Sequence, residues 1–94
     1  MLLLTIATLK LEQMNEEYVN FREWLQETKS LTKNSAEDVI SRIKRAKNIM
    51  EVDVPIDIET LLFHFMGKPA FKALTATVKS QLKRAIKLYK EFKL

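Results

Sequence analysis

Thr77–Leu94 reads TVKSQLKRAIKLYKEFKL. Apolar side chains recur at Val78, Leu82, Ile86 and Tyr89, and lysines recur beside them at Lys79, Lys83, Lys87 and Lys90. Steps of three and four residues are the signature of an amphipathic helix. At about 100° per residue the four lysines share a narrow arc next to the apolar one. Ala85 and Phe92 widen the apolar side, and Arg84 lies beyond Ser80 on the far side of the basic arc. The spacing predicts a helix from about Thr75 to near Leu94, with one face packed and the next projecting ammonium groups. Such a row is either an ordinary solvated face or a surface built to lie on a polyanion.

The preceding segments also read as helices. In 15–29, NEEYVNFREWLQETK, Asn15 is a good N-cap and Glu16 and Glu17 suit the positive end of the dipole. Tyr18, Phe21, Trp24 and Leu25 form its apolar side. In 35–50, SAEDVISRIKRAKNIM, Ser35 with Asp38 has the spacing of a capping box. Val39, Ile43, Ala46 and Met50 make its stripe, and Arg42, Lys44 and Arg45 its other face, with Lys47 near the edge. Pro55 disfavours helix through Val54. Asp57 then caps a short helix holding Ile58, Leu61, Leu62 and Phe65. Gly67 ends it, and Pro69 opens another short helical piece. Residues 1–14 are apolar without clean periodicity. They read as an N-terminal extension in the form of a helix, with a strand or a dimer contact as alternatives, ahead of a domain spanning 15–94.

The totals agree with a small helical domain. Ninety-four residues suit one domain. Gly occurs once and Pro twice, too few for the turns of a strand-rich fold. With no Cys there is neither a disulfide framework nor a thiolate metal site, which fits a reducing, cytoplasmic setting. The opening MLLLTIATL has no charge before Lys10, unlike a secretory signal, and is shorter than the roughly 20 residues that span a bilayer. The expectation is a soluble, cytoplasmic protein. Net charge is +4 but unevenly placed: residues 51–66 hold four acidic and no basic groups, and residues 67–94 hold eight basic and one acidic. Such asymmetry points to an acidic partner for the basic segments.

Catalytic patterns are missing. The lone His64 sits in the apolar run LLFHFMG, where a core-edge role is the commoner one. One Gly leaves no Gly-rich phosphate loop, and the pairs Glu16/Glu17 and Glu37/Asp38 suit helix N-termini better than acid–base chemistry. The reading is a non-enzyme without cofactor or metal. A membrane surface is the weaker partner, because a domain this small needs its apolar arc for the core. The aromatics Phe21, Trp24, Phe63, Phe65, Phe71, Tyr89 and Phe92 are expected to be used in packing, which disfavours a base-stacking platform. Double-stranded DNA contacted through its phosphates is the better nucleic-acid reading.

The order of features resembles the N-terminal core-binding domain of tyrosine recombinases, the phage integrase family. The likeness covers roughly residues 17–93. It is carried by Phe21, Trp24, Leu25, Leu31, Ser35, Val39, Ile43 and Ala46, then by Leu74, Thr75, Val78, Leu82, Ile86, Leu88, Tyr89 and Phe92. The resemblance implies an all-α, compact four-to-five-helix, SAM-like bundle that clamps one side of a DNA duplex. Carried over residue by residue, it implies DNA contacts from Lys33, Asn34, Ser35, Arg42 and Arg45, and from Lys79, Ser80, Lys83, Arg84 and Lys87. Helix packing is expected to set the two basic faces on one side. The family's catalytic Arg, His-x-x-Arg and nucleophilic Tyr have no counterpart here. Where the family's turn between its first helices often has Gly, this chain reads Lys29-Ser30-Leu31-Thr32-Lys33. The competing expectation is a helical protein-interaction or oligomerisation domain with a solvated lysine face, self-associating through residues 1–14.

Overall fold

The structure is a computed structural model that describes residues 16–94. It is all-helical, with no strand among the described residues. Helix α1 covers residues 16–28. It is followed by α2 (Lys33–Ile49), α3 (Ile58–Met66), α4 (Pro69–Lys72) and α5 (Ala76–Phe92). The chain divides into two units at Glu37/Asp38, inside α2. The expected Asn15 cap and the 1–14 extension lie outside the described residues.

In the first unit, Phe21 and Leu25 of α1 are fully buried, and Trp24 stacks on Phe21 at 6.1 Å between ring centroids. The Lys29 ammonium lies 5.6 Å from the centre of the Trp24 ring, and Arg22 of α1 pairs with Glu37 of α2 at 3.7 Å. The turn after α1 closes on one carbonyl: Leu25 accepts the amides of both Lys29 and Leu31, each at 3.2 Å. To make that reversal Ser30 takes φ 57°, the left-handed region that glycine enters freely and other residues enter at a cost.

That reversal also corrects the start of α2. Thr32, not Ser35, is the cap: its Oγ1 accepts the Ser35 amide at 3.1 Å and its carbonyl accepts the Ala36 amide at 2.9 Å. Once Ser30 has turned the chain, Thr32 is the first hydroxyl in position to take an orphan amide. Lys33, Asn34 and Ser35 therefore form the first turn of the helix rather than its approach.

The second unit has its own core. Val39, Ile43 and Ala46 of α2 are buried, as are Val52, Leu61 and Phe65, and Leu82, Ala85, Ile86 and Tyr89 of α5. Phe71 of α4 meets Phe65 of α3 edge-on at 5.1 Å. The short helices are held by side-chain caps and by proline. Asp57 accepts the Thr60 amide at 2.9 Å and the Thr60 hydroxyl at 2.6 Å. Pro69 occupies the first turn of α4, and Thr75 accepts the Val78 amide at 3.3 Å. Gly67 ends α3, but with φ −76° it is right-handed, so its freedom to take positive φ is not used. Phe63 departs from expectation. It is 72% exposed, because it lies on the side of α3 opposite Leu61 and Phe65. No helix among the described residues is long and apolar enough to cross a membrane.

Two outcomes follow from the caps and the turn. Ser30→Gly is expected to raise stability by about 0.5–1 kcal/mol in denaturant titration, since glycine lacks the Cβ that strains the left-handed turn; an unchanged midpoint would contradict the strained turn. The Thr60 hydroxyl and amide hold the Asp57 carboxyl below its ordinary pKa. A depressed folded pKa gives stabilisation that is complete above the unfolded value and lost as pH falls through the folded one. Melting curves of wild type and Asp57→Ala should therefore differ most above about pH 5 and converge below about pH 4. A gap that stays constant into acid would contradict the ionised cap.

Candidate nucleic-acid interface

The basic residues sit on three helix surfaces. Lys33, Asn34 and Ser35 occupy the first turn of α2, in the first unit, and all three are exposed. Arg42 and Arg45 lie further along α2, in the second unit, with Arg42 half-buried and Arg45 exposed. Asp38 shares their side of the helix, one turn before Arg42, which lowers the positive potential there. Lys79, Ser80, Lys83, Arg84 and Lys87 lie on α5, which has no acidic residue before Glu91.

The α5 row is not uniform, because its edges are recruited by the core. Lys79 is half-buried, with its ammonium 5.7 Å from the centre of the Phe71 ring. Lys90 donates to the Val54 carbonyl and so ties the irregular segment 50–57 to α5. Lys93 pairs with Asp53 at 3.8 Å on the same segment. These contacts come from lysines beside the apolar arc, whose ammonium groups can reach across it while the stems pack. Further round, Lys83 is half-buried and Ser80, Arg84 and Lys87 are exposed. Among the described residues none of Lys83, Arg84 and Lys87 has an ion-pair partner. Lys83 and Lys87 are one turn apart, and Ser80 and then Arg84 continue the face on one side, all four within about 100° of arc. This is a compact, unneutralised cationic face.

Lys47 links α2 to α5. Its ammonium donates to the buried Tyr89 hydroxyl at 3.1 Å and lies 4.6 Å from the centre of the Tyr89 ring. Lys47 is two residues from Arg45, about 160° round the helix, so that contact leaves Arg45 turned away from α5. On α5, Lys87 is likewise about 160° from Tyr89 and Ser80 about 180°. Both basic faces thus point outward from the shared contact. The expectation that packing would gather Arg45 and the α5 row onto one side is not met, because Lys47 rather than an arginine fills the joint. The sequence signal for Lys47 was its place at the edge of the α2 stripe. Spacing put Lys90 only about 20° nearer the apolar arc than Lys83, a small sign of its different role.

Among the described residues no group of His, Asp or Glu is arranged to hold a metal ion. His64 is exposed, with its ring 5.7 Å from that of Phe63. Its expected place at the edge of the core is corrected to one on the open surface. No protein-family model, curated protein or solved structure matches the chain.

The two kinds of lysine on α5 are separable by mutation. Lys90→Met should cost about 1 kcal/mol, because it removes a charged donor from the Val54 carbonyl and leaves that oxygen with the Ile56 amide alone. Lys83→Met should change stability by no more than about 0.5 kcal/mol. Equal losses in thermal or denaturant unfolding would contradict this division.

Proposed function

We propose that the chain is a duplex-DNA-binding module of tyrosine-recombinase core-binding type, SAM-like, with no strand-cleaving group of its own. The observation that carries the reading is the outward face of α5. Lys83, Arg84 and Lys87 stand together without an ion-pair partner among the described residues, in a segment, 67–94, with eight basic and one acidic residue. Unneutralised cations at one-turn spacing suit the regular negative charge of a duplex, where each neutralised phosphate releases counterions. Arginine adds planar, two-pronged contact to a phosphate. The Ser80 hydroxyl offers a neutral donor beside them.

On this reading α5 lies along the backbone, with Lys83, Arg84 and Lys87 on phosphates and Ser80 beside them. Between Ser80 and Lys87 the α5 face carries no aromatic side chain, which leaves phosphate contact, rather than base stacking, as the source of affinity. Binding is therefore expected to be strongly dependent on salt and only weakly dependent on sequence. The apolar spacing that resembles integrase core-binding domains suits the same partner.

Fluorescence anisotropy with a labelled mixed-sequence duplex tests this. With about four phosphates neutralised, affinity should fall about a hundredfold between roughly 50 and 200 mM salt. Lys83→Glu should weaken binding and reduce the salt slope by about one unit or more. Arg42→Glu should weaken it less, because Asp38 already offsets that side of α2. Absence of binding at low salt would refute the proposal. An unchanged slope in Lys83→Glu would remove α5 from the interface.

A further inference from the structure

The second unit carries an apolar projection and an apolar hollow that the DNA reading leaves unused. Phe63 stands out from α3 with 72% of its surface exposed, and Met66, one turn on, is 38% exposed. Next to it, between the start of α3 and the end of α5, lies an open cleft of about 600 Å³ whose floor includes Ile56, Ile58 and Leu62. Phe63 follows Leu62 directly, so projection and cleft are about 100° apart on one helix. A lone exposed apolar residue is ordinary, but an exposed phenylalanine beside an unfilled apolar cleft is a surface that water solvates poorly.

The charges around this surface select its occupant. Glu59 lies in the first turn of α3, and Lys68 follows its last turn. Both are exposed, and neither has an ion-pair partner among the described residues. The helix is thus acidic at its start and followed by a cation at its end. A second copy of α3 laid antiparallel on the first brings each Lys68 toward the other copy's Asp57–Glu59 end. The same two-fold operation carries each Phe63 toward the other copy's cleft. Charge order and projection are thus of the kind a closed two-fold contact requires.

We propose that the chain pairs with a second copy of itself through antiparallel α3 helices, each Phe63 seated in the other's α3–α5 cleft and each Lys68 against the other's Glu59. Lys83 and Arg84, on the α5 face assigned to DNA, take no part, so pairing and DNA binding are separate properties. Only the rim residue Lys87 adjoins both surfaces.

Sedimentation velocity of the full chain without DNA, through the micromolar range, is the test. The wild type is expected to show a monomer–dimer equilibrium. Phe63→Asp should abolish it while leaving the helical circular dichroism and melting curve intact, since Phe63 is not part of the core. Glu59→Lys and Lys68→Glu should each weaken pairing about tenfold or more, because each sets like charges together twice in the dimer, and the double reversal should restore it. A wild type that stays monomeric throughout would overturn the proposal. So would a dimer indifferent to Phe63→Asp, or a double reversal no better than its parents. Whether the DNA titration succeeds or fails does not alter any of these outcomes.

Discussion

A tyrosine ring buried in a small helical core brings a hydroxyl with it, and that hydroxyl needs a partner. In the second unit the ring is Tyr89, fully buried, and the partner is the Lys47 ammonium at 3.1 Å. Lys47 also lies over the ring face at 4.6 Å, and Lys93 approaches the ring at 5.8 Å. That contact ties α2 to α5 at the edge of the shared core. Beside it Val39, Ile43, Leu82 and Ile86 are buried, while Arg45 and Lys87 stand outside. The lysine that satisfies this phenol is thereby withdrawn from the outward basic surface.

The same economy sorts the remaining lysines. A chain with few long connections and little polar core uses lysine tips as clamps: Lys90 on the Val54 carbonyl, Lys93 on Asp53, Lys79 over Phe71. What remains on α5 is a shorter row than the repeat of lysines suggests, and a more concentrated one. Its members face away from the core and meet no carboxylate among the described residues. Exposed charges left unneutralised in this way repel one another, a cost that an anionic partner relieves.

Much of this was legible in the sequence. The helix boundaries of α3, α4 and α5 follow from Asp57, Gly67, Pro69 and Thr75, residues whose local chemistry acts on neighbours three or four positions away. The α5 apolar arc was legible for the same reason, since a period of 3.6 needs no tertiary information. The start of α2 was not, because Ser35 and Thr32 are both competent caps and the choice depends on the left-handed turn at Ser30. Phe63 was misread because a run as apolar as LLFHFM suggests burial on every side, whereas only Leu61 and Phe65 face the core. The fates of Lys47 and Lys90 were hidden because they depend on partners 42 and 36 residues away. Candidate site residues were therefore readable as a face of one helix, and unreadable as a set of contacts across several.

The division of lysines into clamps and free cations is open to direct measurement by reductive methylation with quantitative mass spectrometry, with and without a duplex. Lys83 and Lys87 should react readily in the free protein and become protected when DNA is added, while Lys47 and Lys90 should react slowly in both states. Lys83 and Lys87 reacting equally well with and without DNA would contradict the assignment of the α5 face to a polyanion. Lys47 or Lys90 reacting as fast as Lys87 in the free protein would contradict the clamps on which that face depends.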